Sequence, residues 1–142
     1  MTIEHSADIP ATPEAVFQLT IDIERWPAMM STVTAVTRLD EGPLRVGSAA
    51  RVKQPLQRAK VWTVTVLNPS QEFTWEAKVW GVRTVAQHLV SALPHGCRNR
   101  LSITFSGRRG AFIERMLHRR LSAVLAIENE AFRSAATSAS VA

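Results

Sequence analysis

The sequence predicts an α+β fold: a curved antiparallel sheet of six to seven strands around one long C-terminal helix, with two short helices after the first strand. Two observations carry this expectation. Across residues 32–106, turn signals such as Glu41-Gly42-Pro43, Asn68-Pro69-Ser70, Gly81 and Pro94-His95-Gly96 recur roughly every 10–14 residues, the spacing of an antiparallel meander. From Ala111 to about Ala136 there is no Gly or Pro, and apolar residues return every three to four positions, which reads as one helix. About 26 residues at ~1.5 Å each give a helix of about 39 Å, long enough to need a broad curved sheet to cover it.

The elements follow in order. Residues 2–10 alternate weakly (Ile3, His5, Ala7, Ile9) and suggest a first strand. Thr12 is placed to cap a helix, Pro13 suits its first position and Glu14 its first turn, with Val16, Phe17 and Leu19 on the buried side. Asp22 reads as a second cap, opening a short helix IERW that Pro27 closes. Strands are expected at 32–40, 47–55, 60–67, 72–80, 82–93 and 98–106. The last helix buries Ile113, Leu117, Leu121, Val124, Leu125, Ala131 and Ala135.

A chain of 142 residues, 46% hydrophobic and 20% charged, is expected to form one soluble domain, 1–142, with a core of its own. The start, MTIEHSADIPATPEAVF, lacks the basic and apolar runs of a secretory leader, and no stretch approaches a membrane span. Cys97 is the single cysteine, so no internal disulfide forms, and a cytoplasmic location is the expectation. The net charge is +5, and 14 of the 17 basic residues are arginine. Arg108, Arg109, Arg115, His118, Arg119 and Arg120 crowd one segment, but no zinc-finger, RNP or KH signature accompanies them. No specific nucleic-acid partner is expected. The cluster reads as a solvated face, with peripheral membrane contact as its sharper alternative. Monomer and homodimer are both compatible with the sequence.

Period-2 alternation assigns the strand faces. Trp62, Val64 and Val66 share one side of the 60–67 strand; Phe73, Trp75, Ala77 and Val79 oppose the charged set of 72–80. Leu101, Ile103 and Phe105 point inward from 98–106, as do Thr84 and His88 from 82–93 and Ala50, Val52 and Gln54 from 47–55. Three of the four tryptophans fall in residues 61–80; Trp62 and Trp75 are expected inside, Trp80 on the opposite parity. The inner face is therefore apolar and aromatic, with Gln54, Thr84 and His88 as its polar groups. It fits either a filled core or a small-molecule pocket.

Signatures of common chemistry are missing: GxGxxG, the Walker loop, HExxH, GxSxG and CxxC do not occur. The histidines lack metal-ligand spacing, so neither a metal nor a cofactor is expected. Glu128 and Glu130 lie two apart on a helix and face different ways; Glu128 has an inward turn open to it, with the surface or an ion pair with a sheet arginine as the first expectation. Asp22, Glu24 and Arg25 read as capping and charge pairing.

The segments PATPEAVFQLTIDIERWPAMMSTV, VGSAARVKQP, VWTVTVLNPSQEFTWEA, GVRTVAQHLVSALPHG and IENEAFRSAA, in this order of elements, resemble the START-like, Bet v 1-like (SRPBCC) superfamily. Within it they are similar to the small bacterial polyketide cyclase/dehydrase branch, over nearly the whole chain. The resemblance implies the helix-grip fold and an apolar guest held between sheet and long helix. It implies first a non-catalytic binder of a lipid, polyketide-like or other apolar or aromatic metabolite. Gln54, Trp62, Val64, Phe73, Trp75, Ala77, Thr84, His88, Leu101, Ile103 and Phe105 would supply the sheet side of the site, and Leu117, Leu121 and Val124 the helix side. The alternative it implies is an aromatase/cyclase-type enzyme with His88 as acid/base, helped by Thr84 or Gln54.

Overall fold

The computed structural model describes the backbone of residues 2–141 and the side chains of residues 2–138. The order is β1 (Thr2–Ile9), α1 (Pro13–Ile21), a 3-10 turn (Ile23–Arg25), α2 (Trp26–Met29), β2 (Ala35–Arg38) and β3 (Ala49–Lys53). Then come β4 (Lys60–Asn68), β5 (Glu72–Val79), β6 (Val82–Leu93), β7 (Gly96–Phe105) and α3 (Gly107–Val141). All pairings are antiparallel, in one seven-stranded sheet ordered β1-β7-β6-β5-β4-β3-β2. The meander runs from β2 to β7, and β1 returns to close the β7 edge. With α3 across it, this is the helix-grip fold.

Local chemistry explains the element ends. Thr12 Oγ1 accepts from the Ala15 amide at 3.1 Å, which caps α1, and Pro13 occupies its first turn. Asp22 makes no side-chain cap bond, and Pro27 does not close a helix: it sits in the first turn of α2, where a missing N–H costs nothing. The second strand is half its expected length, because residues 31–34 turn away and leave only Ala35–Arg38 paired with β3. That turn carries Thr32 beneath the sheet.

Two irregularities shift side chains between faces. In β4 the register with β5 slips between Val64 and Val66, so Val64 lies opposite Trp75 while Val66 lies opposite Thr74. The extra residue, Thr65, forms a bulge that moves Val66 off the inner face and brings Leu67 onto it, opposite Phe73. Between β5 and β6, Trp80 and Gly81 both have positive φ (52° and 76°), as a two-residue hairpin turn of the primed kind requires. A tryptophan in that conformation is unusual.

Helix α3 begins four residues before the expected Ala111, because Gly107 and Gly110 do not break it. A Cβ on Gly110 would lie 2.6 Å from the Phe105 carbonyl carbon, so glycine lets the first turn settle directly on the end of β7. The inward stripe is also displaced by one residue: Phe132 and Ala136 are fully buried, whereas Ala131 and Ala135 are half-buried. A polar link fixes the helix azimuth. Asn99 Nδ2 donates to Asn129 Oδ1 at 2.9 Å, and Asn129 Nδ2 donates to the His5 carbonyl at 3.1 Å, tying β7, α3 and β1 together.

Candidate functional site: a two-part cavity between sheet and helix

The space under the sheet divides into a filled aromatic half and an open half. In the filled half, Trp75 packs against Trp26 (5.4 Å between ring centres), Trp62 (5.6 Å) and Phe73 (5.0 Å). The His88 ring sits among Phe73, Trp26 and Phe132 at 5.4, 5.7 and 6.4 Å. The open half is a cavity with two compartments. The inner one, about 80 Å³, is bordered by Trp26, Trp62, Trp75, His88, Leu125 and Glu128 among others. The outer one, about 530 Å³, is bordered by Phe105, Leu117, Thr84 and Val79, with Leu56, Trp80, Arg58, Lys60 and Arg120 at its rim. Gln54, Trp62, Ile103, Leu121 and Val124 border both, so the two compartments adjoin.

Of the fourteen residues expected at the site, eleven border the cavity and three do not. Trp75, His88 and Leu101 border the inner compartment, and Thr84, Phe105 and Leu117 the outer one. Gln54, Trp62, Ile103, Leu121 and Val124 stand between them. Val64, Phe73 and Ala77 face inward but border neither space; all three are buried in the packed layer. Thr84 turns its hydroxyl to the Val82 carbonyl at 3.1 Å.

Several bordering residues escaped the sequence reading. Trp80 is one: strand parity does not survive the turn it occupies, and its ring lines the outer rim although it is 57% exposed. Trp26, expected only beside helix-capping charges, closes the inner end, its indole N–H donating to the Leu19 carbonyl at 3.2 Å. Glu128 matters most. It forms neither a surface group nor an arginine pair; it borders the inner compartment and accepts from Thr32 Oγ1 at 2.8 Å. The signal was present: Leu121, Leu125, Glu128 and Phe132 are spaced four, three and four apart, so an acid stands on the apolar stripe of α3.

The inner compartment perturbs both of its titratable groups. Burial pulls His88 down to about 4, against a smaller opposing effect of its bond to the Phe73 carbonyl. That bond, Nδ1 to oxygen at 3.2 Å, requires Nδ1 to carry the proton and leaves Nε2 as an acceptor. Burial pushes Glu128 up to about 7, against the Thr32 hydrogen bond, which favours the charged form. At the rim, burial and then Lys53 lower Lys60. Among the described residues, no set of three His, Cys, Asp or Glu side chains gathers as metal ligands, and no helix is long and apolar enough to cross a membrane.

Known structures share this architecture. Norcoclaurine synthase of Thalictrum flavum, solved as a point mutant with a transition-state analogue, superposes with a TM-score of 0.78 at 12% identity, over 99% of this chain and 96% of that one. The di-domain ARO/CYC StfQ of the steffimycin biosynthetic pathway gives 0.79 at 11% identity, over 99% of this chain and 52% of its own length. Protein MLL2253 from Mesorhizobium loti gives 0.75 at 11% identity, over 94% and 95%. At such identities the superpositions show a shared fold and nothing further. No curated protein matches the chain by sequence. The family model described as polyketide cyclase / dehydrase and lipid transport matches residues 1–133, and the chain belongs to that family.

Proposed function

We propose that the protein binds a small apolar or aromatic ligand, such as a lipid or polyketide-like metabolite, between sheet and α3 without transforming it. The outer compartment supports this reading: about 530 Å³ of mostly apolar space adjoining the smaller inner one, within the usual size of small-molecule sites. An uncharged fluorescent probe, N-phenyl-1-naphthylamine, is expected to bind saturably at one site per chain. Leu121→Trp, which fills the junction of the two compartments, is expected to weaken that binding roughly tenfold or more while the fold, read by circular dichroism, is retained. Unsaturable uptake, or equal uptake by the variant, would reject the cavity as the site.

A cyclase-type enzyme is the second reading, and one observation favours it: His88 is neutral with Nε2 free to act as a base. Volume counts against it. His88 borders only the compartment of about 80 Å³, too small to fold a poly-β-keto chain, and does not border the larger one.

The same proposal includes a membrane contact at the rim. Phe112 and Met116 are 66% and 52% exposed on one face of α3, flanked by the exposed Arg108, Arg109, Arg115, Arg119 and Arg120. Leu56, 93% exposed, and Trp80 add apolar surface at the mouth. None of those five arginines pairs with a described carboxylate. Apolar tips flanked by unpaired cations suit an anionic bilayer surface. Vesicles of phosphatidylcholine with phosphatidylserine should sediment the protein, and pure phosphatidylcholine should not. Arg115→Glu with Arg119→Glu is expected to weaken sedimentation roughly tenfold or more, and Phe112→Ser to remove the part that survives high salt. Equal binding by these variants would dismiss the contact.

A further inference from the structure

We propose that the inner compartment is an amine subsite, in which Glu128, surrounded by Trp26, Trp62 and Trp75, takes the ammonium group of a ligand whose apolar body lies in the outer compartment. This rests on the ligand-binding reading above and names the class of molecule.

The argument starts from a carboxyl group in an expensive place. Glu128 borders an aromatic space and has one hydrogen-bond donor, Thr32 Oγ1 on Oε2, and no Lys or Arg partner among the described residues. Glu128 is half-buried; an unpaired carboxylate even partly withdrawn from water is costly, and a cation brought by a ligand would offset that cost. The group is also deliberately held. Gln54 Nε2 donates to the Thr32 carbonyl at 3.2 Å, and Thr32 Oγ1 donates to Glu128, so β3, the turn before β2 and α3 converge on one carboxyl.

Four other polar side chains border this end; Gln87 spends a donor on Glu72 and Ser102 spends its donor on Gln87, whereas His88 and Gln54 keep acceptors. His88 presents Nε2, and Gln54, whose amide nitrogen is engaged by Thr32, presents its carbonyl oxygen. Three indole rings offer electron-rich surfaces that attract cations. An ammonium carries three donors and a positive charge and matches this inventory. A ligand carboxylate would meet Glu128 as a like charge. The small volume suits a head group of a few atoms.

Entry past Arg58, Lys60 and Arg120 has a simple route. The amine passes the rim uncharged, and the protonated Glu128 carboxyl transfers its proton to the amine nitrogen. One O–H bond breaks and one N–H bond forms, leaving a carboxylate and an ammonium in contact. The group's elevated pKa makes the proton available near neutral pH.

The test compares hexylamine, hexan-1-ol and hexanoate, equal in apolar length, by isothermal titration calorimetry near neutral pH. Hexylamine is expected to bind roughly tenfold tighter than hexan-1-ol, with hexanoate the weakest. In Glu128→Gln the amine's advantage is expected to vanish while hexan-1-ol stays within about twofold. An amine that binds no better than the alcohol in the unaltered protein, or an advantage that persists in Glu128→Gln, overturns the inference. Should hexan-1-ol and N-phenyl-1-naphthylamine bind while the amine preference is absent, only the amine subsite fails. If neither binds, the cavity reading fails with it.

Discussion

Trp75→Ala is expected to lower the unfolding free energy by about 3–5 kcal/mol, a large share of what a domain of this size possesses. Trp75 is 3% exposed and its ring touches Trp26, Trp62 and Phe73, with centres 5.0 to 5.6 Å away. Two of these three neighbours are pinned elsewhere: Trp26 by its bond to Leu19, Phe73 by complete burial in β5. The hole therefore cannot collapse, which places the cost in the upper part of the range for large-to-small changes. Each lost aromatic pair adds about 0.5–1.5 kcal/mol beyond area. Trp62→Ala is the informative contrast. That ring is half-buried, borders both compartments, and has one aromatic neighbour, so a loss of about 1–2 kcal/mol is expected, with a larger effect on ligand uptake. Urea unfolding followed by circular dichroism measures both variants. Near-equal losses would mean that the aromatic half is not a packed core distinct from the cavity border.

That distinction shows what the sequence could and could not convey. Alternation in β5, β6 and β7 survives into the structure because these strands pair without slippage, so Trp75, His88 and Leu101 were correctly placed on the inner face. Period alone could not say whether an inward ring is packed or borders a void, since Phe73 and Trp75 share a parity and only Trp75 reaches the cavity. Alternation failed at points where the backbone leaves regular geometry. The bulge at Thr65 exchanged Val66 for Leu67, and the turn at Trp80-Gly81 sent a ring to the rim that parity assigned elsewhere. The span free of Gly and Pro sets the expected helix start at Ala111, whereas Gly110 serves close packing inside α3. For Glu128 the inward turn ranks second when the residue is weighed against Glu130 instead of against the apolar stripe that it interrupts.

The Glu128 carboxyl has a measurable consequence for stability. Glu128 moves from its ordinary 4.5 to about 7 in the folded chain, so between these values the folded state holds a proton that the unfolded state has released. Stability accordingly falls as pH rises from about 4.5 and levels off above about 7, by up to about 3 kcal/mol in all. His88 has the opposite sense. Its folded value of about 4 lies below the ordinary 6.5, so the unfolded state binds the extra proton and stability is lost as pH falls from about 6.5 to about 4. Through the shared window the two slopes, each roughly 1.4 kcal/mol per pH unit, nearly cancel, and the unaltered protein should show a flat profile there. Glu128→Gln removes one slope. Its stability is expected to rise with pH through that window, and at pH well above 7 the variant should exceed the parent by up to about 3 kcal/mol. Asp8, held below the usual carboxylate range by its hydrogen bond from Arg98, and Asp40, held there by the Ala49 amide, titrate in more acidic solution and alike in both proteins. They drop out of the difference. Urea titrations across the window for parent and variant decide the matter: parallel profiles would show that the Glu128 carboxyl is hydrated in the folded chain, and the aromatic environment assigned to it would have to be abandoned.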